Sequence, residues 1–349
     1  MAKRRSRAKL NMMQTPRAES WVKVRPGGLW IEPGDFFIDP TRPASRAVIT
    51  HGHADHARPN NGHVLATPAT IAIMQARYGD QAGATLQSLP YGQDLTINDV
   101  KLRFVPAGHV LGSAQVVLDW RGSRVVVSGD YKRSFDPTCD AFEPVEADVF
   151  ITEATFGLPI FRHPDPQDEI AKLLHSVSLY PERSHVVGAY SLGKCQRVIA
   201  LLRRAGWDQP IWLHGALQPL CELYERLGIP LGDLRPATTA KKNDMAGQMV
   251  LAPPSEISER WSRRLPDPVT CVASGWMQVR QRAKQRGVEL PLVISDHADW
   301  DELCRTLHEV VRGEVWVTHG REDALLRMAE LEGMKARALR LVGFEDDEA

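Results

Sequence analysis

Thr50-His51-Gly52-His53-Ala54-Asp55-His56 constrains the fold of this chain more than any other stretch. Three histidines and an aspartate fall within six residues, directly after the apolar run Ala47-Val48-Ile49, which reads as a buried strand. A strand ending in a loop of small residues throws several side chains into one small volume. Imidazole nitrogens and carboxylate oxygens gathered there suit zinc or a similar first-row metal. His51 and His53, two apart, can point the same way, while Asp55 and His56 lie past the bend and can serve a second ion. A lone loop histidine would be read as solvated and unliganded, and it is the spacing of the four groups that carries the metal reading.

The same arrangement recurs along the chain. Val100–Val105 delivers Gly108-His109, and Arg124–Ser128 delivers Gly129-Asp130. Asp148–Thr152 ends on Glu153, a carboxylate that needs a partner if buried. Pro291–Ile294 leads to Ser295-Asp296-His297, and Val315–Val317 leads to Thr318-His319. Around these strands, 27–39 reads as a hairpin or meander and Pro68–Tyr78 as a helix. Between about 163 and 290 short apolar strands alternate with helical segments, which implies a parallel sheet. There His185–Ala189 runs through Tyr190-Ser191-Leu192-Gly193-Lys194-Cys195-Gln196 into a helix expected at Val198–Leu202. Helix N-termini are ready anion sites, so Ser191, Gly193, Lys194 and Gln196 are candidate phosphate contacts, with Ser274-Gly275 a second pair. Plain helix capping is the alternative. His63, His163, His175, His185, His214 and His308 match no ligand spacing and are read as structural.

HxHxDH, GHVLGSA, SGD and the aspartate Asp39 that precedes them resemble the motifs of the metallo-β-lactamase superfamily. ITEATFG, SDHAD and VTHG resemble motifs A, B and C of its nucleic-acid-processing β-CASP branch. Over residues 26–340 the phrases PGDFFIDPTRP, THGHADHARP, PAGHVLGSAQV, VSGDYKRSFDPTC, YSLGKCQR and ASGWMQ are similar to the bacterial ligase-associated DNA exonucleases. The resemblance implies an α/β chain: a metallo-β-lactamase αββα sandwich with an inserted compact β-CASP-like α/β lobe. Its expected parts are a disordered basic arm at 1–17, the sandwich at 18–162, the insertion at 163–290 and the rest of the sandwich at 291–349. It also implies two divalent metal ions, zinc or manganese. His51, His53 and His109 would hold one, Asp55, His56 and His319 the other, and Asp130 would bridge them. Asp39 would orient ligand histidines. Asp55, Glu153 and His297 would be catalytic, with His297, steadied by Glu153, giving a proton to the leaving oxygen. Motif B departs from the commoner Ser-Ala-His by carrying Asp296.

The implied activity is that of a dinuclear phosphodiesterase acting as a DNA exonuclease from the 5′ end, in DNA repair, alongside an ATP-dependent DNA ligase and a helicase. His319 is the residue type of the RNA-acting members, so an RNA-processing ribonuclease is the alternative. A non-catalytic nucleic-acid-binding subunit is a remoter one, because every ligand position is filled. Composition adds bounds. The 349 residues, 43% apolar and 25% charged, suit two soluble units. No apolar run approaches the roughly 20 residues of a membrane span, and the basic start lacks the apolar core of a signal peptide, so a cytoplasmic protein with no membrane partner is expected. Five scattered cysteines suggest neither a disulfide framework nor a zinc finger. Formal net charge is zero although five of the first ten residues are basic, which leaves the remainder acidic and argues against coating nucleic acid by bulk attraction.

Overall fold

The computed structural model describes residues 15–341. The expected basic arm lies outside them up to residue 14, as does the end of the chain from residue 342. Alternation of apolar residues builds two facing sheets. The first joins six strands in chain order, Val22–Arg25, Gly28–Ile31, Phe36–Ile38, Arg46–Val48, His63–Ala66 and Thr85–Ser88. The second joins seven, ordered Lys335–Ala338, Val311–Gly320, Ala147–Ala154, Ser123–Val127, Ala114–Trp120, Val100–Pro106 and Asp94–Ile97. Strands linked by tight turns pair antiparallel, as in Val125 opposite Leu118. Strands linked by longer crossovers pair parallel, as in Phe150 opposite Val315.

Period-two alternation decides which side each residue faces. Val125 and Val127 join Ile31, Ile38, Val48 and Trp316 in the core between the sheets, while Val126 joins Phe150 and Val317 on the outer face of the second sheet. Helices cover both outer faces. Helix α1 (Pro68–Tyr78) starts on Thr67, whose hydroxyl accepts from Thr70 N at 3.3 Å, with Pro68 in the first turn. It lays Ile71 and Met74 against Ala47, Ile49 and Val64. The next four helices are α2 (Pro166–Leu179), α3 (Lys194–Arg204), α4 (Gln218–Arg226) and the short α5 (Arg280–Gln285). Helices α6 (Trp300–Val310) and α7 (Glu322–Leu331) close the far side through Leu303, Leu307, Leu325 and Ala329. The sandwich is helix, sheet, sheet, helix.

A third sheet draws all its strands from residues 185–292, ordered Leu234–Pro236, Ile211–Leu213, Met249–Ala252, His185–Gly188, Val269–Ala273 and Leu290–Leu292. Every pairing in it is parallel. Ile170, Leu173, Val198, Leu202 and Leu220 of α2, α3 and α4 bury one face. Ile73 of α1 and Leu111 share that core, so the lobe is packed onto the sandwich rather than tethered to it.

Two expectations shift. The strand leading to motif B pairs Leu290–Leu292 with Cys271–Ala273 in the third sheet, so a boundary at 290/291 cuts through a strand of the lobe. An apolar run carries no mark of which sheet will take it. Helix α3 begins at Lys194, a turn before the expected Val198.

Behind His319 the chain bends on two left-handed residues, His319 at φ 58° and Gly320 at φ 85°. A Cβ on Gly320 would run into the Ala154 carbonyl oxygen. Gly320→Ala is therefore expected to lower stability by more than about 2 kcal/mol, read as a shift in the denaturation midpoint. An unmoved midpoint would mean that the bend relaxes freely.

Candidate metal centre

The first sheet ends its strands at Asp39 and Thr50, and these two residues set the direction of the rings beyond. Thr50 N donates to Asp39 Oδ1 at 2.8 Å and Thr50 Oγ1 donates to Asp39 Oδ2 at 2.6 Å. With its proton committed, the Thr50 hydroxyl accepts from His51 Nδ1 at 3.0 Å, leaving His51 Nε2 as the ring's lone pair. His56 Nδ1 donates to Asp39 Oδ2 at 2.8 Å, which likewise leaves its Nε2. His109 Nδ1 donates to the Asp296 carbonyl at 2.9 Å. His53 is held the other way round, its Nε2 donating to the Leu192 carbonyl at 3.3 Å.

The outcome is a set of inward-facing lone pairs. His53 Nδ1 and His109 Nε2 meet at 3.0 Å, an arrangement that a cation between them relieves. His51 Nε2 makes no hydrogen bond and stands 3.4 Å from Asp130 Oδ2. Ligand atoms of His51, His53, His109 and Asp130 all lie within 4.8 Å of one another. Tetrahedral zinc with bonds of about 2.0–2.1 Å would put its ligand atoms roughly 3.4 Å apart, so the donors fit such an ion. Asp130 Oδ2 is also 3.4 Å from His56 Nε2, which is 3.3 Å from Asp55 Oδ2. The rings of His56 and His319 lie 5.5 Å apart, and Asp55 Oδ1 makes no hydrogen bond. One carboxylate thus stands between two donor groups.

Protonation follows burial and sign. Burial, reinforced by neighbouring imidazoles, holds His51 well below the ordinary range, His109 at about 3 and His319 at about 4. These rings are neutral, the form that ligates metal. Burial also pulls His56 down, but Asp55, Asp130 and Asp39 outweigh it and raise its pKa.

Beside the cluster, Glu153 is buried and splits its oxygens. Oε1 accepts from Tyr131 N at 2.8 Å and Oε2 from His297 Nδ1 at 3.0 Å. The His297 ring lies 4.6 Å from that of His109. Burial opposes the imidazolium, yet the charge and hydrogen bond of Glu153 raise His297 well above the usual histidine range.

The phosphate contacts read from the sequence need correction. Lys194 and Gln196 are fully buried inside α3, not in a turn. Gly193 N is spent on Gln196 Oε1 at 2.8 Å, and Gln196 Nε2 on the Ser191 carbonyl at 2.9 Å. This is helix capping, the alternative reading. Ser274 Oγ caps Trp276 N at 3.2 Å, and Gly275 is pressed against the Phe156 ring. Ser191 alone of the six is partly exposed.

Residues 42–183 match the metallo-beta-lactamase superfamily. A probable DNA ligase of Opitutus terrae is 28% identical over 318 residues, covering 89% of this chain and 30% of the ligase. The endoribonuclease YSH1 of Kluyveromyces lactis is 29% identical over 194 residues, covering 44% of this chain and 25% of that protein. The match thus spans less than a third of either relative. Among solved structures, a protein of unknown function from Enterococcus faecalis V583 superposes with a TM-score of 0.57 at 12% identity, over 86% of this chain and 80% of that one. That likeness is one of fold.

What sequence reasoning missed is the partner of Asp296. Lys194 Nζ donates to Asp296 Oδ1 at 2.6 Å and to the Ile294 carbonyl at 3.1 Å, with both side chains buried. The signal was available: an Asp in place of Ala in a buried motif requires a cation somewhere. Lys194→Met should cost about 3–5 kcal/mol by leaving a buried charge alone, and adding Asp296→Ala should restore most of it. Strict additivity of the two single losses in denaturation curves would show that the pair is uncoupled.

Proposed function

We propose that this chain, which carries a metallo-beta-lactamase domain, is a dinuclear metal-dependent phosphodiesterase working as a DNA exonuclease in cytoplasmic DNA repair. The observation that carries this reading is Asp130 Oδ2 standing 3.4 Å from both His51 Nε2 and His56 Nε2, with the Glu153–His297 pair alongside. His51, His53 and His109 would hold one divalent ion, zinc or manganese, and Asp55, His56 and His319 the other, with Asp130 shared. When bound, the ions supply Lewis acidity toward a phosphoryl oxygen and an activated water. The remaining roles belong to side chains. Asp39 keeps His56 and, through Thr50, His51 in the ligating tautomer. Glu153 holds His297 protonated, and His297 passes its proton to the departing sugar oxygen.

The choice of DNA is supported by the probable DNA ligase, whose similarity covers most of this chain. It supports the joint use of end trimming and end sealing, while a helicase as a further associate rests on the sequence resemblance alone. His319 and the endoribonuclease relative favour RNA as the second reading. Among the described residues no helix is long and apolar enough to cross a membrane.

His297→Ala should reduce turnover of an oligonucleotide by about 10²–10⁴-fold while metal content stays unchanged. Hydrolysis of bis(p-nitrophenyl) phosphate, whose leaving group needs no proton, should fall far less. Loss of a metal equivalent in that variant would make His297 a ligand instead of an acid.

End-labelled single- and double-stranded DNA and RNA, tested side by side with Mn²⁺ and Zn²⁺, separate the substrate readings. Linear DNA should be shortened from the 5′ end while circular single-stranded DNA persists. Rapid cutting of the circle would make the enzyme an endonuclease, and preferential loss of RNA would establish the ribonuclease reading.

A further inference from the structure

A cavity of about 340 Å³ lies where the lobe meets the sandwich, distinct from the His–Asp cluster but sharing with it the loop around His297. Ser295 and Asp299 line it from that loop, Lys132 and His163 from the sandwich side, and Arg197 and Arg204 from α3. Arg197 is the unexpected member. It is 1% exposed, yet its Nε and Nη1 make no hydrogen bond. Asp136 Oδ2 stands 3.4 Å from Nη1 and balances its charge, but it does not satisfy the donors. The other Asp136 oxygen is committed to Thr138, at 2.8 Å to N and 2.6 Å to Oγ1. Buried guanidinium N–H groups without acceptors are costly, and Arg197 is one of the residues that line the cavity.

His163 repeats the pattern. Its ring lies edge-on to Phe156 at 4.6 Å, its backbone N is held by Asp299 Oδ2 at 2.9 Å, and neither ring nitrogen is hydrogen-bonded. After burial, the largest influences on this ring are the positive charges of Lys132 and Lys194, so the field at the ring is positive. The buried Lys132 gives one hydrogen bond to the His297 carbonyl at 3.2 Å and stands 3.7 Å from Glu302. Two other carboxylates on the cavity wall are occupied as helix caps. Asp165 Oδ1 accepts from Gln167 N at 2.8 Å and Asp299 Oδ1 from Glu302 N at 3.0 Å. Unspent donors, a positive field and engaged carboxylates describe a receptor for a small oxyanion.

We propose that this cavity binds a phosphate-class oxyanion between Arg197, His163 and Lys132. The phosphoryl group belongs either to a nucleic-acid strand or to free phosphate, and the site stands whether or not the His–Asp cluster cuts phosphodiesters. Crystals soaked with tungstate locate oxyanions directly and separate this cavity from the metal centre. A peak within hydrogen-bond reach of Arg197 Nε and His163 is expected, and Arg197→Gln should abolish it. Because Arg197 is buried, Ser134→Glu serves as a second variant. Ser134 lines the cavity and is exposed, so the substitution should weaken binding of inorganic phosphate tenfold or more without moving the melting temperature. An empty cavity, or equal occupancy in both variants, overturns the proposal.

Kinetics then distinguish the two sources. If the strand's own phosphate sits there, Ser134→Glu raises KM for an oligonucleotide and leaves bis(p-nitrophenyl) phosphate unaffected. If free phosphate is the ligand, that KM stays and the response of activity to added phosphate disappears. A tungstate peak with neither effect is an adventitious ion only and counts against the site. In a protein that cuts no nucleic acid the nuclease reading falls, and the cavity is then decided by whether Ser134→Glu weakens binding of inorganic phosphate tenfold.

Discussion

The carboxylate of Asp39 accepts from Thr50 N, Thr50 Oγ1 and His56 Nδ1, and the geometry of the centre depends on those hydrogen bonds. An imidazole presents a lone pair at one nitrogen only when the other is occupied as a donor. Asp39 sets this directly for His56 and, through the Thr50 hydroxyl, for His51. Without it both rings would be free to take either tautomer, and the inward donor set would be one arrangement among several. Asp39 itself sits at φ 43°, a left-handed conformation that turns its side chain back over the strand end.

The lobe completes what the sandwich begins. His109 is oriented by the Asp296 carbonyl and His53 by the Leu192 carbonyl, and Leu192 belongs to the segment entering α3. Asp296 is in turn held by Lys194 in the first turn of α3. Movement of α3 would therefore reach two of the clustered rings through backbone carbonyls. A buried ion pair is a poor source of net stability. Its use at this junction is to fix one relative placement of lobe and sandwich.

Among the buried histidines of the site, burial acts on every ring and neighbouring charges decide whether it prevails. Rings where burial and neighbouring imidazoles outweigh Asp130 are held low, and rings where carboxylates outweigh burial, His56 among them, are raised. His51 and His109 fall in the first group and His297, beside Glu153, in the second. On the proposed reading, His51 and His109 would help form a place for cations and His297 would be the proton source, within one small volume.

The sequence by itself determined the strand-end placement of the site residues. HxHxDH, His109, Asp130, Glu153, His297 and His319 each stand at or just past the end of an apolar strand, which is legible locally, although HxHxDH follows the first sheet, His109, Asp130, Glu153 and His319 the second, and His297 the third. The helix Pro68–Tyr78 was equally legible from its spacing and its Thr67-Pro68 start. Tertiary structure decided the rest. Lys194, Gly193 and Gln196 have the composition of an anion-binding turn, but whether a donor faces solvent or a buried acceptor depends on what packs across from it, and Asp296 lies 102 residues away. The strand at Leu290–Leu292 suited either sheet by hydrophobicity, and only pairing with Cys271–Ala273 assigned it to the lobe. Arg197 and His163 carried no signal at all. An unsatisfied donor is a property of the space around a residue, and that space exists only once distant segments have closed upon it.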